Sequence, residues 1–428
     1  MIRQVVIGFW ILFLTGSAAL SAQQESFLTR FSAESSPLSL ALGGLGVSLF
    51  SRADGIFLNP ALAASLKTPV LQFNLNSDTI HGEWPTQSDS KTGRSVGYEL
   101  SGDQQGVRSL RLAYPWRWQE LTIALCAGWQ RSIPYGYSGY GRDVWLDEES
   151  DPLGTDTMAY QGKGAQDALW LGAALAYRQD WGIGIGHTLW TGSGEWWQRY
   201  DSDLDEFSSM SGRREQINGG FWTIGAFFRP ADIVMLTASL QSRTRGKLIY
   251  ALFDDEASAE RSADDRLTAS LKIPETISFG FCLGPVSRTS LHLEYCTQLW
   301  SQAALTDYPL ATMYPAMEIG RDSQKNSVLF STGLSHNLSV NRVLSCTLAA
   351  SLGWEQTIFA DDAGKAVVLK RIGLGVVLQI GPRLNLSLAY RSSRGDWPKS
   401  GRFETDSFFS YTFSRSTLMV GIELFPFP

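Results

Sequence analysis

Apolar and polar residues alternate with period two along most of this chain, and that pattern limits what it can fold into. Leu121, Ile123, Leu125, Ala127 and Trp129 share one parity; Thr122, Ala124, Cys126, Gly128 and Gln130 share the other. The same alternation runs through 277–284, 344–354 and 384–391. It marks strands with one apolar face. After Gln23 no apolar run reaches the about 20 residues that a helical membrane span needs. Yet the chain holds 41 Gly, 15 Trp, 14 Tyr and 22 Phe, and only 18% of its residues are charged. A membrane protein without apolar helices must close its strands into a barrel, because lipid offers backbone groups no other partner. In such a barrel the apolar face meets lipid and the small, polar face lines the lumen. A soluble sandwich would turn the apolar face inward instead.

The spacing of the segments favours the barrel. About fourteen strands are expected, near 69–80, 106–116, 119–131, 168–180, 182–192, 219–230, 232–243, 274–285, 288–300, 326–338, 343–356, 367–381, 383–393 and 407–425. Short turns near 116–118, 230–232, 285–287 and 381–382 alternate with long loops near 81–105, 132–167, 193–218, 244–273, 301–325, 357–366 and 394–406. Short turns at one end and long loops at the other are the arrangement of an all-β transmembrane antiparallel barrel. Aromatics gather at both ends. Trp116, Trp118, Tyr177, Trp181 and Phe228 fall near the turns; Trp129, Trp190, Trp300 and Trp354 fall near the loops. These are the expected interfacial girdles. Leu418, Val420, Ile422 and Leu424, then Phe425 and Phe427, make an apolar closing strand.

Ahead of the strands lie two different segments. Arg3, the apolar run Val5–Leu14 and the small residues after Gly16 have the plan of a secretory signal peptide. Cleavage is expected after Ala22, with Ser21 as the alternative last residue. The expected organisation is therefore a leader at 1–22, a plug segment at 23–68 and a barrel at 69–428. Gly43, Gly44 and Gly46 permit tight turns, and Pro60 behind Asn59 should start a short helix with an Asn cap. A compact segment of this kind fits a lumen faced by Gly128, Gly172, Gly280, Gly373 and Gly375. It would act as a gate, or as a plain cap.

The formal charge of −6 argues against nucleic acid as a partner. Cys126, Cys282, Cys296 and Cys346 are too few for a disulfide scaffold and read as thiols. No nucleophile elbow, zinc spacing or other catalytic arrangement appears, so neither enzyme activity nor a cofactor nor a metal is expected. Acidic clusters at 147–151, 201–206 and 254–256 read as solvated loop faces, with calcium or lipid bridging as the alternative.

The stretch from Ser39 to Ala64 carries small residues and paired glycines, then Asp54, Phe57 and Asn59-Pro60-Ala61, just before the first strand. It resembles the N-terminal region of the FadL-like outer-membrane transporters and their PorV-like relatives. The resemblance implies a bacterial outer-membrane barrel whose N-terminal hatch closes the periplasmic end, with Gly43, Gly44, Asp54, Phe57, Asn59, Pro60 and Ala61 as its gate residues. It implies passive uptake of hydrophobic compounds such as long-chain fatty acids. The alternative, from the PorV-like branch, is handling of secreted protein cargo in type IX secretion. Outer-membrane lipid is a partner in either case.

By parity Arg111, Arg178, Glu294, Glu355, Arg371, Arg391 and Glu423 face the lumen. Charges buried there need partners or water. They pair with one another or hold the plug, and an arginine among them could accept a carboxylate head group. His292 shares the face of Glu294 and reads as a structural contact. In the outer loops Tyr135, Tyr137, Trp145, Trp196 and Trp197 form a candidate surface for capturing apolar molecules or a protein.

Overall fold

The computed structural model describes residues 36–43, 46–49, 52–89, 94–134, 138–146, 152–203, 207–253, 267–299, 304–306, 326–341, 343–360, 366–398 and 410–426. The leader with its cleavage site, Gly44, Tyr135, Tyr137 and Trp300 lie outside these residues. Among the described residues, eighteen antiparallel strands form one sheet. In the first half these are β1 (Val70–Asp89), β2 (Arg94–Trp118), β3 (Leu121–Pro134), β4 (Ser138–Leu146), β5 (Pro152–Tyr177), β6 (Trp181–Ser202), β7 (Phe207–Ala231), β8 (Val234–Gln241) and β9 (Thr244–Phe253). The second half holds β10 (Leu267–Ile273), β11 (Thr276–Val286), β12 (Thr289–Gln298), β13 (Ala304–Thr306), β14 (Ser327–Ser339), β15 (Leu344–Ala360), β16 (Ala366–Ile380), β17 (Leu384–Pro398) and β18 (Ser410–Leu424).

The sheet closes into a barrel of fourteen staves. Four staves are interrupted, as β3/β4, β8/β9, β10/β11 and β12/β13, so that each pair of segments shares the same neighbouring staves. Closure comes from β18 pairing with β1, from Leu71↔Leu424 to Glu83↔Thr412. No edge is left to seek another chain.

Side chains divide by parity. Ile123 and Leu125 on β3, Leu352 and Trp354 on β15, Leu388 and Tyr390 on β17, and Leu418, Val420 and Ile422 on β18 all point outward and are exposed. Thr122, Ala124, Ser351, Ala389 and Thr417 on the same strands are buried. An all-round belt of exposed Leu, Ile, Val and aromatic side chains is what a lipid-facing wall requires. Trp116 and Trp118, 70% and 67% exposed, stand at the turn end of that belt.

Two expectations need correction. Trp190 belongs to the interior, not to a girdle: Ile183, Ile185 and Leu189 take the lipid face of β6, which leaves Trp190 inward and 7% exposed. The long loops are also largely strand. β5, β6 and β7 continue well beyond the apolar belt, so Trp196 and Trp197 sit in a ladder opposite Arg213 and Gly212. Trp145 likewise lies in β4. Outside the lipid both faces of a strand meet water, so the hydrophobic alternation stops while backbone pairing goes on.

The described residues before β1 fold inside the barrel. They form helix α1 (Pro37–Ala41) and two 3-10 turns, η1 (Ala53–Gly55) and η2 (Pro60–Ser65). Leu40, Leu42, Ile56, Leu62 and Ala63 are fully buried there. α1 packs on β15 to β18 and η2 on β2, β3 and β5 to β7. The lumen wall is thus packed against protein rather than open water.

Arginine at Leu348, outward on β15, should therefore cost roughly 2–4 kcal/mol in a refolding titration if the site lies near mid-membrane. Arginine at neighbouring Thr347, on the inner face, should cost much less. Equal costs would contradict the assigned faces.

Candidate functional site

The inner wall meets the plug through small residues first. An ideal Cβ placed on Gly375 would lie 2.6 Å from Ala41 Cβ, and one on Gly421 would lie 2.8 Å from Pro37 Cγ. On the other side of the lumen, Gly184 and Gly225 leave room for the Asn59–Ala61 backbone and the Asn59 side chain. Glycine here supplies space for close approach of two backbones. Gly43 needs both space and conformation: its φ is +112° and it abuts Ser331.

Polar side chains then fix the plug in place. The Glu294 carboxylate, 1% exposed on β12, accepts from Gly46 N at 3.0 Å, Ser48 N at 2.9 Å and Ser48 Oγ at 2.7 Å. His292 Nδ1 lies 3.2 Å from Ser48 Oγ, and its Nε2 lies 3.0 Å from Ser335 Oγ. Thr237 Oγ1 donates to Val47 O at 2.8 Å. The plug turn at 46–48 is thus held from β12 and β8 together.

A second anchor sits at η1. Arg111 on β2 donates to Ala53 O at 3.2 Å, Asp54 O at 2.8 Å and Gln72 Oε1 at 3.3 Å. Gln72 Nε2 donates to Asp54 Oδ1 at 3.0 Å, and Arg52 Nε pairs with Asp54 Oδ2 at 3.0 Å. Arg52 also approaches Glu423 at 3.8 Å, and Asn385 donates to Glu423 at 2.7 Å. Two cations and two anions, drawn from the plug and from opposite neighbours of β1, compensate one another where Asp54, Arg111 and Glu423 are buried. Burial alone would raise the Asp54 carboxyl. The Arg52 guanidinium, hydrogen bonds from Ser36 and Arg52 and the charge of Arg111 outweigh it, and hold Asp54 below the ordinary carboxylate range.

A third anchor is Asn59. Its Oδ1 accepts from Ala61 N at 3.1 Å, capping η2, while its Nδ2 donates to Ala226 O at 3.0 Å and Ala238 O at 3.3 Å. One side chain caps the turn that Pro60 starts and ties it to β7 and β8.

Phe57 carries the apolar part. It lies 5.7 Å, centroid to centroid, from Trp170 on β5. Trp190 and Phe221 pair 6.1 Å apart nearby. A cavity of about 30 Å³ opens between Phe57, Ala168, Trp190, Phe221 and Ile273, with Gln130, Gln241 and Gln298 on its polar side. That holds a water or two and no apolar cargo. Beside it the β6–β7 ladder skips from Trp190↔Gly219 to Gly194↔Glu215. Gln166, fully buried on β5, fills the gap by donating to Thr191 O at 2.8 Å and Ile217 O at 2.9 Å and accepting from Ile217 N at 2.9 Å.

Of the expected lumen charges, Arg111, Glu294, Glu355, Arg371, Arg391 and Glu423 are inward and buried. Glu355 and Arg371 pair with each other across β15 and β16. Arg178 is the exception. It sits in the β5–β6 turn at φ +50°, exposed, and pairs with Glu120 in the β2–β3 turn. Parity ends where the strand ends, so it could not place a turn residue. Trp170 and Gln166 were not singled out in the sequence, although the parity of Leu169 and Leu171 puts Trp170 inside.

Glu294→Ala would strand two buried backbone donors and should loosen the 46–48 turn by about 3 kcal/mol. Hydrogen exchange should then rise at 46–58 with the strands unchanged. Gly184→Val should have the same effect by steric exclusion of η2. The depressed Asp54 pKa has a definite sign: its contribution is present above the unfolded value of about 3.9 and is lost as pH falls through the lower folded value. With Glu423→Gln, which leaves Asp54 as the titrating carboxyl beside Arg52, protection of residues 52–56 should therefore stay level from pH 7 to about pH 5 and fall only below the ordinary carboxylate range. A loss between pH 7 and pH 5 would contradict this charge arrangement.

A scan against protein-family models finds no match, and neither does a search of curated protein sequences. Solved structures do match. A Pseudomonas aeruginosa FadL homologue superposes with a TM-score of 0.59 at 14% identity, covering 91% of this chain and 98% of its own. The Ralstonia pickettii toluene transporter TbuX gives 0.52 at 12% identity, and the Pseudomonas putida toluene transporter TodX gives 0.51 at 12%; each covers 92% of this chain and 99% of its own. The likeness extends over nearly the whole of each chain, and this chain has the FadL-like fold.

Proposed function

We propose that this chain is an outer-membrane barrel that takes up hydrophobic compounds passively, with residues 36–66 as its gate. The observation that carries the reading is the interface of Phe57 with Trp170, beside Trp190 and Phe221. A plug that only sealed the barrel could be held by polar anchors and aliphatic packing alone. This one also brings an aromatic side chain against an aromatic wall, next to a cavity too small for cargo while the plug is seated. Movement of Phe57 would open an apolar contact surface there. Glycines on both sides of the lumen and the polar latch at Glu294 give it a seat it can leave without breaking strand pairing. Long-chain fatty acids and neutral aromatic compounds both suit an apolar path. The likeness in fold to proteins described as toluene transporters agrees with either. Protein cargo, as in the PorV-like reading, is the alternative; no observation in the lumen favours it.

The reading predicts separable effects. Trp170→Ala, or Phe57→Ala, should change passage of an apolar cargo, because each removes one side of the aromatic contact. Trp197→Ala, on the strand extension beyond the belt, should weaken only capture at low cargo concentration. The assay is uptake of labelled fatty acid and of labelled toluene by cells carrying matched amounts of each variant. Uptake no greater than in cells lacking the protein, for both cargoes, would reject transport and favour the protein-handling alternative.

A further inference from the structure

The outward face of the barrel carries cations where the apolar belt ends on the side away from the short turns, its hairpin end. On β9 and β10, Arg245 stands directly opposite Lys272, with Lys247 two residues along, and all three are exposed. On β16 and β17, Lys370 stands directly opposite Arg394, again both exposed. Like charges facing each other across strands are destabilising, yet the arrangement occurs twice. Among the described residues none of the five has an ion-pair partner; at the turn end Arg178 and Arg229 pair with Glu120 and Asp232, while Arg288 and Arg383 are likewise unpaired and serve as the comparison. Each patch borders the lipid-facing wall. Trp222, 52% exposed, and Leu240 lie on the turn side of Arg245, and Trp354, 44% exposed, is the register neighbour of Lys370. A tryptophan beside two cations at the edge of an apolar belt lies at head-group depth.

We propose that these two patches bind the phosphate groups of anionic lipid in the leaflet at the hairpin end. The phosphates supply the counter-charge that the protein surface lacks, while acyl chains lie on the Trp222–Leu240 and Trp354 faces. The site is independent of what passes through the lumen, and depends only on the outward placement of these strands.

The test is native mass spectrometry of the purified, folded barrel titrated with lipid A, which carries two phosphates, and with its monophosphoryl form. Basic groups near a lipid surface contribute enough that Arg245→Gln/Lys272→Gln should weaken lipid A binding by about tenfold or more. Lys370→Gln/Arg394→Gln should do the same. The monophosphoryl form should bind the wild type more weakly. Arg288→Gln/Arg383→Gln, exposed cations at the turn end, should change nothing, and the charge-preserving Arg245→Lys/Arg394→Lys should retain binding. Heat-modifiable migration reports folding of every variant. Equal lipid binding by the rim variants and the wild type would overturn the proposal. So would an equal loss in the turn-end variant, or lowered stability of the rim variants with unchanged lipid binding, which would assign these cations to the chain itself.

Discussion

Pairing of β18 with β1 is the constraint on which everything else depends. In lipid an unpaired strand edge is not tolerated, so Leu71↔Leu424 and the pairs beyond it decide whether the other strands can stay in the membrane at all. Once the sheet is closed, every strand residue is either outside or inside. The outside must be apolar. The inside must be filled, or its polar groups must find water or protein. The plug answers the second requirement: Pro37–Ser65 occupies the interior and supplies partners for Glu294, Arg111 and Thr237.

The manner of filling bears on function. The plug is in part an apolar core: Leu40 and Leu42 cluster with Val377 and Met419 on the wall, and Ile56 and Leu62 with Trp170 and Phe227. Here the contacts divide. Glycines at 184, 225, 375 and 421 allow close approach but make no directional bond to the plug through a side chain. The directional bonds are concentrated in three places: the 46–48 turn on Glu294, η1 on Arg111 and Gln72, and Asn59 on β7 and β8. The polar points can exchange their partners for water when that part of the segment moves, because each group is satisfied in either state, while apolar burial holds the seated form. The strand ladders take no part in that exchange.

Much of this was legible in the sequence, and what was missed has physical causes. Alternation placed Thr122 and Ser351 inside and Leu125 and Leu352 outside, since lipid imposes the pattern directly on each strand. Asn59-Pro60 announced the start of η2, because cap and proline act locally. The charges on strands, from Arg111 to Glu423, fell where parity put them. Arg178 did not, because a turn residue has no parity. Trp190 lies near the end of the expected strand 182–192 but in the middle of β6, where its alternation with Leu189 turns it inward. The strand extensions holding Trp196 and Trp197 were invisible, since beyond the lipid nothing forces hydrophobicity to alternate. Which wall residue meets which plug residue was also beyond the sequence. Glu294 and Ser48 lie 246 positions apart, and only the closed register brings them together.

The central claim is that the plug, seated as described, must move for cargo to pass. A reversible lock tests it most directly. A Cβ on Gly333 would lie 3.4 Å from Leu42 Cα, closer than a relaxed disulfide places it, so Leu42→Cys and Gly333→Cys are neighbours that oxidation can join after a small shift of the plug. Uptake of labelled fatty acid and toluene by cells carrying this double variant is then compared under oxidising and reducing conditions. The account predicts that oxidation stops uptake and that reduction restores it, with neither effect in the single variants. Undiminished uptake with the disulfide demonstrably formed would contradict it.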